Sequence, residues 1–226
     1  MPARYLVGMA IANLIFSTAV AQPATPVALV EHISGNTHEV EFMDYLAAGK
    51  VVRLTLGEKL VLSYLKFCWH ETIVSGTVTI GTTQSHVANG TVERLRIDCD
   101  GGQIQLSREQ AQKSGAMTFR TRPKNPVQSG GIVLYGLSPV IEMRGAGKLS
   151  IARIDRPGEN LEINTTSQQL IRGAFLDLSA TGTALTAGGT YRIKSGTEEA
   201  VFTISPSAKL GKGPIIGRLL RLKVSE

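Results

Sequence analysis

Aromatic residues make up only 5% of this 226-residue chain, with a single Trp, and it has just two cysteines, Cys68 and Cys99. So few rings argue against a sugar-binding groove built from stacking platforms. Two isolated cysteines exclude the paired Cys-x-x-Cys spacing of structural zinc sites, and the absence of any Cys before Cys68 excludes a lipid-modified N-terminus. Clustered Lys/Arg with interleaved aromatics is missing, which argues against nucleic-acid binding. No Gly-x-Ser-x-Gly elbow and no phosphate-loop spacing ending in Lys-Ser/Thr occurs. Charged residues are 19% and hydrophobic residues 42%, which excludes intrinsic disorder, and the 24 glycines have no fixed period, which excludes a collagen-like chain.

Met1 to Arg4 is short and basic, Tyr5 to Phe16 is mostly apolar, and Ser17 to Ala21 ends in an Ala-x-Ala pattern before Gln22. This is the pattern of a cleaved secretory signal. The apolar stretch is shorter than the roughly 20 residues of a membrane helix. Removing residues 1–21 leaves 23 basic against 18 acidic residues, a charge of +5. The expected product is exported, soluble and periplasmic, with its basic residues scattered over a solvated surface.

From Pro23 onward the hydrophobic period is two. Val52, Leu54 and Leu56 alternate with Arg53 and Thr55; Leu60, Leu62 and Tyr64 with Val61 and Ser63; Leu95, Ile97 and Cys99 with Arg96 and Asp98. These runs predict half-buried strands. Gly49, Gly57, Gly76, Gly81, Gly90 and Gly101-Gly102 are expected at the turns between them. One short helix is predicted over 107–114, started by Ser107 and stopped by Gly115. The Pro/Gly-rich stretch 120–131 is expected to be a linker. Beyond it the alternation returns in Leu161/Ile163, Leu176/Leu178, Tyr191/Ile193, Ala200/Phe202/Ile204 and Leu220/Leu222/Val224. Seven or eight strands in some 95 residues, with turns at Gly145 to Gly147, Arg156 to Gly158, Gly182 and Gly188-Gly189, predict a β-sandwich of immunoglobulin-like type. The expected fold is therefore all-β, with a signal peptide 1–21, a first β domain 22–119, a linker 120–131 and a sandwich 132–226.

Residues 27 to about 119 resemble a FecR-like periplasmic domain. The resemblance is carried by a leading strand at Val27 to Ile33, the segment Leu46 to Lys50 running into Val51 to Leu56, then Gly57 to Tyr64, and a hairpin through Ser75-Gly76. It implies a non-catalytic signalling or binding module at the cell envelope. The cytoplasmic segment and membrane helix of the full-length regulator have no counterpart here, so direct control of a sigma factor is not implied.

Cys68 and Cys99 form an even pair in an exported chain, where a disulfide is favoured. The alternative is a zinc site of Cys68, His70 and Cys99, which lacks a fourth ligand. Phe67, Trp69, His70 and Glu71 crowd beside Cys68 and are the candidate contact patch. Trp69 reads equally as a lid on the disulfide or as a binding hot spot. Of the histidines, His32, His38, His70 and His86, none has a recognisable nucleophile partner, and the pairs Asp98/Asp100 and Glu198/Glu199 read as strand-end and turn residues. Asn89-Gly-Thr91 and Asn164-Thr-Thr166 match the glycosylation acceptor pattern, which matters only in a eukaryotic host. The basic, apolar stretch Lys209 to Lys223 fits a closing strand better than a membrane-surface helix. The expected function is a non-catalytic exported module that recognises an envelope protein or inner-membrane sensor, without cofactor or metal and without nucleic acid or membrane contact. The alternative is a cell-wall glycan or peptidoglycan binding protein.

Overall fold

The computed structural model describes residues 25–35, 39–100, 131–211 and 213–224. The expected signal peptide, the helix 107–114, His38 and all but the last residue of the linker lie outside them. What is described is all-β, in small β domains, as the period-two alternation predicts.

The first unit is one antiparallel sheet of β1 (Pro26–Ile33), β2 (Tyr45–Ala47), β3 (Val51–Tyr64), β4 (Trp69–Thr79), β5 (His86–Ala88) and β6 (Thr91–Arg96). Its order is β2-β1-β3-β4-β5, with β6 also paired to β4. Ala28, Val30, Val52, Leu60, Leu62 and Ile73 are buried together on one face, because alternate residues of a strand share a side. Two glycines expected at turns instead lie inside strands. Gly57 and Gly76 have positive φ within the β3–β4 hairpin, where Thr55 to Glu58 bulge out opposite Ser75 alone. The Gly57 N–H donates to Ser75 Oγ at 2.9 Å, and Leu56, expected in the core, is carried outward to 96% exposure. Glycine permits that bulge because it carries no Cβ.

The second unit comprises β7 (Ile132–Gly136), β8 (Val140–Glu142), β9 (Lys148–Arg153), β10 (Asn160–Asn164), β11 (Phe175–Asp177), β12 (Thr190–Ser195), β13 (Glu198–Lys209), β14 (Leu219–Arg221) and β15 (Lys223–Val224). Six of them make a sheet of order β10-β9-β12-β13-β15 with β7 parallel to β13. The other three form β11-β8-β14, with β14 parallel to β8. The two sheets enclose a sandwich core of Leu149, Ile151, Tyr191, Phe202, Ile141 and Leu220. The predicted turns at Gly145 to Gly147, Arg156 to Gly158, Gly182 and Gly188 fall between these strands. The closing strand expected near Leu220 is present as β14 and β15, preceded by a buried 3-10 turn at Ile215–Gly217.

The three-stranded sheet is a middle layer. Ile141, Leu176 and Leu220 point into the sandwich, whereas their strand neighbours Val140, Phe175 and Leu219 join Leu29, Met43 and Leu65 of the first unit in a second apolar cluster. Fully burying such a side chain stabilises the fold by roughly 1.5–3 kcal/mol. The seam is also tied by polar groups. The Tyr45 hydroxyl and Arg221 Nε both donate to Glu142 Oε2 at 2.7 Å, and the Arg221 guanidinium lies 4.9 Å from the Tyr45 ring. Burial first, and then Glu142, raise the Tyr45 pKa, so its hydroxyl keeps its proton to donate. Arg172 pairs with Glu41 and, at 3.0 Å, with Asp44. A Cβ on Gly217 would lie 2.7 Å from the Asp98 carbonyl oxygen, so only glycine lets the 3-10 turn close so tightly on the first unit.

Cys68 and Cys99 form the expected disulfide, with Cα atoms 5.6 Å apart. Cys99, expected on the inward face of a strand, lies beyond the end of β6 at Arg96, half-buried, where it packs against the shared cluster. The Leu95/Ile97/Cys99 alternation is thus not that of a strand. In β6 it is Val92 and Arg94 that turn inward, and Leu95 is 53% exposed.

A candidate recognition cleft between the two units

The expected contact patch is divided by the pleat of β4. Trp69 and Glu71 share the face that carries the first unit's own core, and His70 points the other way, toward the second unit. Phe67 sits on the preceding turn with the Lys66 ammonium 5.6 Å from its ring. Trp69 is half-buried against the first unit's core, with Arg96 5.4 Å from its ring. The disulfide's Cys99 packs in the shared cluster, and Trp69 at the edge of the first unit's core.

Glu71 is fully buried and cannot offer a contact surface. It accepts the Ser85 N–H on both oxygens at 3.1 and 3.2 Å and Arg94 Nε at 2.7 Å. Arg94 Nη2 also donates to the Ser85 carbonyl at 2.7 Å. Ser85 Oγ lies 3.0 Å from the Tyr64 hydroxyl, whose pKa burial pushes up to about 12. This network holds β3, β4 and β6 together, and Arg94 turns inward because it must neutralise a carboxylate with no access to water.

His70 has a different environment. Its Nδ1 lies 3.0 Å from Ser63 Oγ and 3.8 Å from Glu31 Oε2. The trio has the residue types of a hydrolase but not the geometry, because serine and carboxylate approach the same ring nitrogen and Ser63 is fully buried. Glu31, whose side chain is 6% exposed, accepts the Ile216 N–H on Oε1 at 2.9 Å across the seam.

Glu31 and His70, with Phe42 and Val61, form the first unit's wall of a cleft of about 530 Å³; Ile171, Asp177, Pro214 and Arg218 belong to the opposite wall. That volume lies in the range of small-ligand and side-chain pockets. Arg218, 4% exposed in its side chain, donates to both Asp177 oxygens at 2.6 and 3.0 Å and to the Ser138 carbonyl at 3.0 Å. Burial pushes the Asp177 carboxyl up, but the bonds from Arg218 and Ser179 more than reverse this and leave its pKa below the usual value. Of the cleft residues only His70 stands out in the sequence. Glu31, Asp177 and Arg218 lie far apart along the chain and come together only through the middle layer.

The remaining candidates are dispersed. His32 and His86 are exposed on separate strands. Glu198 pairs with Arg144 at 2.8 Å and Glu199 with Lys194 at 3.4 Å. Asp100 holds its carboxylate against the Val133 N–H of the second unit, leaves Oδ2 buried without a partner among the described residues, and is raised by burial to about 6. With both sulfurs in the disulfide, the Cys68/His70/Cys99 zinc alternative has no thiolate to offer. Among the described residues no cluster of His, Cys, Asp and Glu could hold a metal ion, and no helix is long and apolar enough to cross a membrane. The chain matches no protein-family model, no curated protein and no solved structure.

Proposed function

We propose that the chain is an exported, non-catalytic recognition module of the cell envelope, periplasmic after cleavage of its signal, that binds a protein partner through the cleft between its two β units. The observation that carries this reading is the cleft itself, whose polar groups are held by backbone and ion-pair contacts rather than arranged as nucleophile and base. The disulfide suits an oxidising compartment. The resemblance of residues 27–119 to FecR-like periplasmic domains supports a signalling role, with the partner a membrane sensor or another envelope protein. The immunoglobulin-like type of the second unit belongs to the same proposal.

The test places a photo-crosslinking amino acid at Ala180, on the cleft, and in a second variant at Val201, 45% exposed on the far sheet. Irradiation in the periplasm is expected to give one discrete protein adduct from the Ala180 position and none from Val201. Adducts at neither position, or the same adducts at both, overturn the proposal. Retention on insoluble cell wall without a protein adduct puts glycan binding in its place.

A further inference from the structure

We propose that the cleft binds a cation on a short apolar stem, an alkylammonium or guanidinium group, with Glu31 as its counter-ion. The inference deepens the reading of the cleft as a recognition site and rests on it. The side chain of Glu31 is 94% removed from water and lines the cleft. Its Oε1 is engaged by the Ile216 N–H. Its Oε2 has no hydrogen bond among the described residues; the nearest partner, His70 Nδ1, is 3.8 Å away and already engaged by Ser63 at 3.0 Å. The chain itself satisfies only one oxygen of this largely buried carboxylate, and an entering N–H donor would engage the other.

The cleft has no cation to spare. Arg218 is committed to Asp177 through two hydrogen bonds and to the Ser138 carbonyl through a third, so that pair is neutral and closed. By formal charge at pH 7, the described lining residues carry Arg218 against Asp177 and Glu31, which leaves one negative charge over, on Glu31. An anionic ligand would meet that charge with the cleft's arginine already committed to Asp177, and a neutral apolar one would bury it further. Phe42, Val61, Ile171 and Ile215 supply apolar walls for methylenes, while the charged head reaches the carboxylate. The shared chemistry is that of a lysine or arginine side chain on a partner protein or of a free amine.

The experiment titrates the isotope-labelled full chain with n-pentylamine, in its ammonium form at neutral pH, and in parallel with n-pentanol. Binding is read at the Ile216 amide, which reports on Glu31 directly. Saturable shifts with the amine, at least about tenfold weaker with the alcohol and about tenfold weaker in Glu31→Gln, are expected, a factor of ten being about 1.4 kcal/mol. Gln keeps an oxygen for the Ile216 N–H; if the variant nevertheless fails to fold, the amine-to-alcohol ratio on the native chain decides alone. Equal binding of amine and alcohol, no saturable shift, or unchanged binding by folded Glu31→Gln overturns the proposal. Two further probes separate the sources: tighter binding of a lysine blocked at both ends assigns the cation to a partner side chain, and tighter binding of cadaverine assigns it to a free amine. Crosslinking from Ala180 with no amine binding overturns only the cation; amine binding without protein adducts overturns only the protein partner.

Discussion

In the second unit, two sheets face each other across Leu149, Tyr191, Phe202 and Leu220, so each covers the other. The first unit has a single sheet with two faces to cover. One closes over Val30, Leu62 and Ile73, with Glu71 and Arg94 paired inside it; the other, at Leu29 and Leu65, is covered by Val140, Phe175 and Leu219 of the middle layer. The first unit therefore has a private face and a shared one. The private face carries a neutralised polar network that serves stability, and the shared face carries the cleft with its half-satisfied carboxylate.

The largest expected effect falls on the private face. Arg94→Leu leaves Glu71 buried and unpaired, which should cost about 3–5 kcal/mol of unfolding free energy in urea. A loss under about 1 kcal/mol would mean that water reaches Glu71 and that the two faces are less different than they look. Removing the disulfide through Cys68→Ser and Cys99→Ser should cost about 3 to 4 kcal/mol in the chain-entropy model. Because Cys99 packs in the shared layer, hydrogen exchange should then accelerate at the seam, around Ile216, more than at β12; uniform acceleration would blur the distinction.

The smallest effect is the dependence on pH at Asp100. Its pKa, raised to about 6 in the folded chain, lies above the ordinary value of about 3.9 for an unfolded chain. The native state therefore binds its proton more tightly, and stability falls as pH rises from about 4 to 6 and stays lower above that window. Asp100→Asn, which keeps an acceptor for Val133, should stabilise the chain at pH 8 and change little at pH 3.5, as thermal melts would register. A variant no more stable than the native chain at pH 8 would show that the seam tolerates the charge.

Legibility in the sequence follows how simply each strand is covered. Tyr191/Ile193 and Phe202/Ile204 bury one side each, and there the period-two pattern reads correctly. Val140-Ile141, Phe175-Leu176 and Leu219-Leu220 are covered on both sides, and such strands show as adjacent apolar residues rather than alternation. Those doublets are the signal that could have revealed the middle layer. Leu56 and Leu95 mislead for separate reasons: a bulge expels the first, and the inward turn of Arg94 to meet Glu71 sends the second outward. Of the cleft, His70 alone was legible. Glu31, Asp177 and Arg218 carry no local motif, since their proximity is created by pairings that span most of the chain.

The middle layer also imposes an order in time. Leu219 and Leu220 serve both apolar clusters at once, yet they lie 154 and 155 residues after Leu65, one of the side chains that Leu219 helps to cover. At the usual synthesis rate of about 5–20 residues per second, Leu65 waits roughly 8 to 30 s and Leu29 roughly 10 to 40 s for Leu219 to be made. A chain cut short before Leu219 would therefore fold, if at all, with the shared face of its first sheet open to aggregation.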